Sequence, residues 1–160
     1  MLRYEWIWKK EQGTGGANCN KMPLKDHENV LVFYNKLPKY NPQFSVGKPY
    51  KIKRDKPKLD SVYGKTGLND SFISINDGKR YPKTVIEFNR DSNKIHPTQK
   101  PVALFEYLIK TYSNEGDLIL DNCAGSFTTA IACDNLNRNW ICIEKDEKYF
   151  ELGTKRVKEN

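Results

Sequence analysis

Residues His96 to Asp146 read HPTQKPVALFEYLIKTYSNEGDLILDNCAGSFTTAIACDNLNRNWICIEKD, and the order of elements in this stretch decides the fold. Pro101 suits the first position of a helix, where its fixed φ and missing N–H cost little. Phe105, Leu108, Ile109 and Tyr112 recur at helical spacing behind it, and Gly116 can end that helix. Leu118 to Leu120 read as a short buried strand. The chain then turns at Asp121 through Asn122, Cys123, Ala124 and Gly125 into a helix over Thr128 to Leu136, and a second strand, Trp140 to Ile143, closes on Glu144. Strand, helix and strand in this order make a βαβ unit, with parallel strands and a right-handed crossover expected.

Such a unit gathers binding groups at the carboxyl ends of its strands. A glycine in the turn lets the backbone approach a ligand, the start of the second helix offers free amide hydrogens, and an acid ending the second strand can accept hydrogen bonds from two ribose hydroxyls. Gly125 and Glu144 stand at a suitable spacing for these roles, with Asp121 at the end of the first strand. A dinucleotide site would show GxGxxG, whereas this turn holds one glycine, so a pyrophosphate cradle is not expected. A nucleoside with a compact or positively charged tail fits better, and S-adenosylmethionine is the obvious candidate.

Outward from this stretch, the 160-residue length suits one domain with a real core, and 38% hydrophobic with 12% aromatic residues is a globular composition. The early charges of MLRYEWIWKKEQG (Met1 to Gly13) argue against a signal peptide, and no apolar run approaches membrane-spanning length. A soluble, cytoplasmic protein with no membrane association is expected. Cys19, Cys123, Cys133 and Cys142 form no CxxC pair, and His27 and His96 are the only histidines, so no metal is expected and the cysteines read as reduced thiols.

Upstream, Tyr4, Trp6 and Trp8 alternate with Glu5 and Ile7 at the period of a strand, and the tryptophans read as core rather than base-stacking platforms. Glu11 to Lys25 reads as a loop; its GTGG (Gly13 to Gly16) lacks a following Gly-Lys-Ser/Thr and helix, so it is not read as a phosphate loop. Val30 to Tyr34 is a buried strand and Thr84 to Phe88 a further one. The formal charge of +7 is concentrated between Lys36 and Lys58, where seven lysines and one arginine face one aspartate. Tyr40, Phe44 and Tyr50 are interleaved with them. An extended basic segment with aromatics suits a nucleic acid; a solvated linker is the competing reading.

The chain resembles the carboxyl-terminal part of the DNA amino-methyltransferases, which methylate adenine N6 or cytosine N4, in the group whose catalytic motif precedes the cofactor motifs. His96-Pro97-Thr98-Gln99-Lys100-Pro101 is similar to that group's motif X, Asp121 to Thr129 (DNCAGSFTT) to its motif I, usually DPFxGSGTT, and Ile143 to Asp146 with Tyr149 and Arg156 to motif II and the helix after it. WIWKK and HENVLVFYNK (His27 to Lys36) resemble the late strands of the same enzymes. The resemblance implies a Rossmann-like S-adenosylmethionine-dependent methyltransferase fold of the α/β class with an incomplete sheet. It divides the single domain into late strands over residues 1–34, a basic DNA-recognition insert over 35–93, and the cofactor-binding βαβ region over 94–160. The implied cofactor residues are His96, Thr98, Lys100, Pro101, Asp121, Cys123, Ala124, Gly125, Ser126, Thr128, Glu144 and Lys145. Lys51, Lys53 and Arg54 are the expected DNA contacts, and double-stranded DNA is the expected partner.

Two departures from the family pattern shape the expectation. Phe127 stands where motif I has its second glycine, and its side chain is expected to crowd the methionine end of the cofactor. The sequence contains no Pro-Pro, so the catalytic Asp-Pro-Pro-Tyr tetrapeptide is absent and no residue here is assigned to catalysis. That tetrapeptide accepts the hydrogens of the target amine while its aromatic ring stacks on the flipped-out base. The expected function is a DNA methyltransferase, with adenine N6 preferred over cytosine N4, in a truncated or split form inactive alone. It would be completed by a separate polypeptide carrying the tetrapeptide, or else it self-associates. The alternative is a non-catalytic remnant that binds DNA or cofactor.

Overall fold

The structure, a computed structural model, describes residues 1–54 and 72–160, the side chain of Arg54 excepted. In chain order its strands are β1 (Leu2–Thr14), β2 (Lys25–Phe33), β3 (Ser45–Val46), β4 (Tyr50–Arg54), β5 (Phe72–Asn76), β6 (Lys79–Arg80), β7 (Val85–Glu87), β8 (Leu118–Asp121) and β9 (Asn139–Cys142). Its α-helices are α1 (Val102–Tyr112), α2 (Thr128–Asn135) and α3 (Glu147–Lys158). Two compact units result: Met1–Gln43 with Lys83–Asn160, and Phe44–Pro82.

In the first unit β1 and β2 form an antiparallel hairpin, with Trp6 opposite Val30 and Trp8 opposite Glu28. β1 runs beyond the expected Trp8, because pairing resumes at Thr14 and Lys25 after an irregularity and the Thr14 hydroxyl donates to the Lys25 carbonyl at 3.0 Å. β7 lies parallel to β1 on its other edge, so β1 is central. The period of two then works as read: Tyr4, Trp6 and Trp8 share the face that packs on Leu104, Phe105, Tyr107, Leu108 and Tyr112 of α1. Both tryptophans are buried, and each indole N–H has a partner, Trp6 in the Tyr112 hydroxyl at 2.6 Å and Trp8 in the Phe88 carbonyl at 2.9 Å.

The βαβ unit forms with β8 and β9 parallel, Leu118 opposite Asn139 and Asp121 opposite Cys142. α1 serves this pair too. Ile109 packs with Ala132, Cys133 and Leu136 of α2, while Val102 and Phe105 join Ile119 and Trp140 there. One helix therefore carries two sheet pieces that share no hydrogen bonds, β2-β1-β7 and β8-β9. Pro101 caps α1 from just outside, one residue before the first helical position.

The other face of these strands is bare. Leu118 to Leu120 and Val30 to Tyr34, expected to be buried strands, are covered on one face only: Leu118 and Leu120 are 60% and 63% exposed, and Leu31, Phe33, Ile141 and Ile143 are also exposed. Among the described residues β8 pairs only with β9, and β2 only with β1. Parallel strands are ordinarily apolar because both faces are covered, so the described residues leave one face of this sheet uncovered.

Residues 35–43, expected in the DNA-recognition insert, belong to the first unit. Asn41 donates its backbone N–H to the Thr111 carbonyl at 2.7 Å and its side-chain amide to the Ser113 carbonyl at 3.0 Å, covering carbonyls that the end of α1 leaves free. In the second unit β4 pairs with β5 and β3 with β6, both antiparallel. Phe44 meets Tyr81 edge-on at 4.8 Å, with the Lys79 ammonium 3.9 Å from the Phe44 ring centre. Among the described residues no helix is long and apolar enough to cross a membrane.

Candidate functional site

The turn after β8 is held by its own polar groups. Asp121 accepts from the Cys123 N–H at 3.0 Å and, with its other oxygen, from the Thr129 hydroxyl. The Ala124 N–H reaches the Ile143 carbonyl at 2.9 Å, which zips the turn onto the end of the neighbouring strand. Gly125 has φ +52°, a left-handed conformation that a side chain disfavours. Its amide donates to Glu144 Oε2 at 2.7 Å, while Glu144 Oε1 accepts from the Asp146 N–H at 2.9 Å. The Asp146 amide first, and the Gly125 amide next, hold the Glu144 carboxyl below the usual glutamate range. It is therefore an ionised acceptor, and each oxygen keeps a lone pair for a further donor.

His96, Thr98 and Lys100 form the opposite wall. The His96 ring lies edge-on to Tyr149 at 4.2 Å, and its Nδ1 accepts from the Thr98 N–H at 3.2 Å. A cleft of about 210 Å³ opens between this wall and the turn, lined there by Asp121, Cys123, Ala124, Gly125, Ser126 and Thr128. Gln99, Phe105 and Thr129 line it as well and were not among the expected cofactor residues. Three expected contacts stand outside that lining, and Glu144 is one of them, held to the Gly125 amide at 2.7 Å. Pro101 is fully buried at the start of α1, where it sets the helix direction, and Lys145 is exposed beside the cap of α3, outside the cleft lining. Lys100 lines the cleft, yet its ammonium pairs with Glu28 at 2.6 Å.

Phe127 corrects a further expectation. It takes φ +58°, the left-handed conformation its glycine counterpart would favour, and its ring is buried. The ring turns away from the cleft into α3, where it meets Phe150 edge-on at 5.8 Å. A Cβ on Gly153 of α3 would collide with that ring, so the glycine missing from the turn has a counterpart in the helix that receives the phenylalanine. Crowding of the cleft by Phe127 is not observed; the side chain is absent from the cleft lining.

Arg156 and Asp91 complete the support, and Asp91 carried no sequence signal. The Arg156 guanidinium donates to the Ser126 carbonyl at 2.9 Å, the Thr128 hydroxyl at 3.1 Å and Asp91 at 3.3 Å. Buried Gln99 donates to Asp91 and to the Asn93 carbonyl and accepts from the Ile95 N–H. The turn, α3 and the segment before α1 are thus tied together around one guanidinium. Burial pushes the Cys142 thiol up to about 12 and the Cys133 thiol to about 11, so neither is a nucleophile near neutral pH.

In the second unit, Lys51 and Lys53 are two apart on β4 and lie opposite Ile75 and Ile73 of β5, all four exposed on one face. The Arg54 side chain, Lys56 and Lys58 lie outside the described residues. Among the described residues no group of three or more His, Cys, Asp or Glu could hold a metal ion.

Comparisons with known proteins agree with this architecture. The chain is 31% identical over 158 residues to the type II methyltransferase M.HpaI of Haemophilus parainfluenzae, a match over 98% of this chain and 46% of that protein. It is 39% identical over 108 residues to the DNA adenine methyltransferase YhdJ of Escherichia coli K12, covering 60% of this chain and 37% of YhdJ. Among solved structures, the M1.HpyAVI-SAM complex superposes with a TM-score of 0.64 and 28% identity over 98% of this chain and 62% of that one. The cytosine-N4-specific PvuII DNA methyltransferase gives 0.62 at 18% identity, over 95% of this chain and 49% of its own, a likeness of fold. The chain thus spans about half the length, or less, of the curated relatives named here, and its fold is the Rossmann-like methyltransferase fold with an incomplete sheet. A family model described as DNA methylase matches residues 1–155, and the chain belongs to that family.

Proposed function

We propose that this chain supplies the cofactor-holding and DNA-facing parts of an S-adenosylmethionine-dependent DNA amino-methyltransferase. The observation that carries the reading is the turn from Asp121 to Thr128, whose left-handed Gly125 brings its amide to Glu144 at the end of the adjacent parallel strand. When bound, S-adenosylmethionine supplies an electrophilic methyl group. The residues present fit that group: Glu144 is an ionised acceptor with free lone pairs for ribose hydroxyls, and no pyrophosphate cradle competes. The 210 Å³ cleft is smaller than pockets that enclose a whole nucleoside-sized ligand, so it takes one end of the cofactor and leaves the rest in the open. Phe127 leaves this space clear, and Arg156 fixes its floor through the Ser126 carbonyl.

Adenine N6 is the preferred target, supported by the likeness to a relative named as an adenine methyltransferase. Lys51, Lys53 and Arg54 face the phosphates of double-stranded DNA in this reading. The 160 residues contain no Pro-Pro, so the acceptor for the amine hydrogens comes from a polypeptide segment outside them. The free edge of β8 and the bare face at Leu118 and Leu120 are where a strand carrying that segment would pair and be covered.

Calorimetric titration with S-adenosylmethionine and with its demethylated product tests the cofactor site. Both bind the chain, and Glu144→Ala weakens binding by roughly 1–3 kcal/mol, about 5- to 150-fold, through loss of charge-assisted hydrogen bonds. Absence of heat and of competition at millimolar ligand would remove the reading.

A further inference from the structure

A second pocket, also about 210 Å³, adjoins the cleft and shares Thr98, Gln99 and Lys100 with it. Its floor is the buried Trp8 ring, with the ammonium groups of Lys10 and Lys100 standing 5.6 and 5.9 Å from the ring centre. Both lysines share one carboxylate: Lys10 meets Glu28 Oε1 at 2.7 Å and Lys100 meets Oε2 at 2.6 Å. Two cations on one anion leave a positive charge unmatched, and the Lys10 side chain is only 8% exposed, so water compensates it poorly. Arg90 and Lys94 line the same pocket, are exposed, and have no carboxylate within salt-bridge distance among the described residues. Four cations against Glu28 give the pocket a surplus of positive charge.

We infer that this pocket binds a phosphate group, and that the phosphate belongs to the backbone of a nucleic acid strand whose neighbouring nucleotide reaches the cofactor cleft; the identity of that strand rests on the proposed function. Three features favour a backbone phosphate over a free polyphosphate. The pocket is small, its two unpaired cations sit at the exposed mouth where a strand can pass, and its inner wall is the outer wall of the cleft. A phosphate held there positions the strand, because phosphate contacts set register without reading sequence. Arg90 and Lys94 are accordingly positioning residues for the substrate.

The test uses the full chain, a short fluorescein-labelled duplex followed by anisotropy across a salt series, and calorimetric titration of the cofactor. Arg90→Gln with Lys94→Gln lowers duplex affinity about tenfold or more and flattens the slope of log affinity against log salt by about 1 to 2, with cofactor affinity unchanged. Lys148→Gln with Lys158→Gln, the same loss of charge on exposed positions of α3, changes affinity less than about threefold. Equal losses in the two pairs would overturn the inference, leaving only diffuse attraction. A loss of cofactor affinity in the Arg90/Lys94 pair would assign the pocket to the cofactor instead. Inorganic phosphate, followed by NMR shifts at Arg90 and Lys94, separates the sources: shifts without duplex binding by the unmutated chain would make this a free-phosphate site and overturn the backbone assignment. Duplex binding that depends on Arg90 and Lys94 in a chain that binds no cofactor would uphold the pocket while removing the proposed function.

Discussion

At Phe127 a left-handed backbone angle and a buried aromatic ring oppose each other. The angle costs about 1–2 kcal/mol in a residue with a side chain, whereas removing a buried phenylalanine ring costs about 3–5 kcal/mol. Phe127→Gly therefore destabilises the chain by about 2 kcal/mol, despite restoring the usual motif I glycine, and does not tighten cofactor binding. Gly153→Ala alone is destabilising by about 1–3 kcal/mol, because the new methyl collides with the ring. In the double variant the collision disappears, so urea unfolding of the four proteins shows a coupling rather than a sum; additive losses would mean that the ring does not sit under α3. Glu28 gives a pH signature of its own. Partial burial raises its pKa, but the hydrogen bonds and charges of Lys10 and Lys100 outweigh this and leave it lowered in the folded state. Its contribution to stability is thus present above the usual glutamate range and is lost as pH falls through the depressed value. Unfolding midpoints of the unmutated chain and Glu28→Gln differ near neutrality and converge below about pH 4. A constant difference down to strong acid would show that the two lysines do not hold this carboxylate.

Among the elements, β4 gives the most direct reading of the basic segment. Lys51 and Lys53 share an exposed face with Ile73 and Ile75, so at residues 50–54 the basic segment is a paired strand. Charge reversal at Lys51, Lys53 and Arg54 reduces duplex affinity and flattens its salt dependence by roughly one unit per lost phosphate contact. Unchanged affinity and slope would return the segment to the status of a solvated surface. The helices show what periodicity can reveal. Phe105, Leu108, Ile109 and Tyr112 are legible as one apolar series, and α1 forms where they stand. That the same helix supports two separate sheet pieces is not legible, because it depends on which partners arrive from residues 4–8 and 119–140.

For the whole molecule, the legible part of the fold was the part encoded locally. The turn from Asp121 to Gly125 and the HPTQKP segment announce themselves through spacing and line one cleft, and the acid at Glu144 is held to that turn through the Gly125 amide. Asp91 as a partner of Arg156, Gly153 as the receiver of Phe127, and the sharing of Glu28 by Lys10 and Lys100 were invisible because each joins residues at least 18 positions apart. Lys100 shows the limit well: its motif suggests a cofactor contact, and a carboxylate on a distant strand takes its ammonium. Among the described residues β8 has no strand on its second edge, and Leu118 and Leu120 are exposed. Holding the methyl donor stabilises the ground state, whereas rate needs an acceptor that positions the amine in line with the methyl group. The central claim is therefore that these 160 residues hold the donor and the DNA but do not transfer the methyl. The direct measurement is incorporation of tritiated methyl into mixed genomic DNA, first with this chain alone and then with a polypeptide carrying an Asp-Pro-Pro-Tyr segment. The account predicts no incorporation by the chain alone and restored incorporation with both; incorporation by the chain alone, or none from a folded complex of the two, would contradict it.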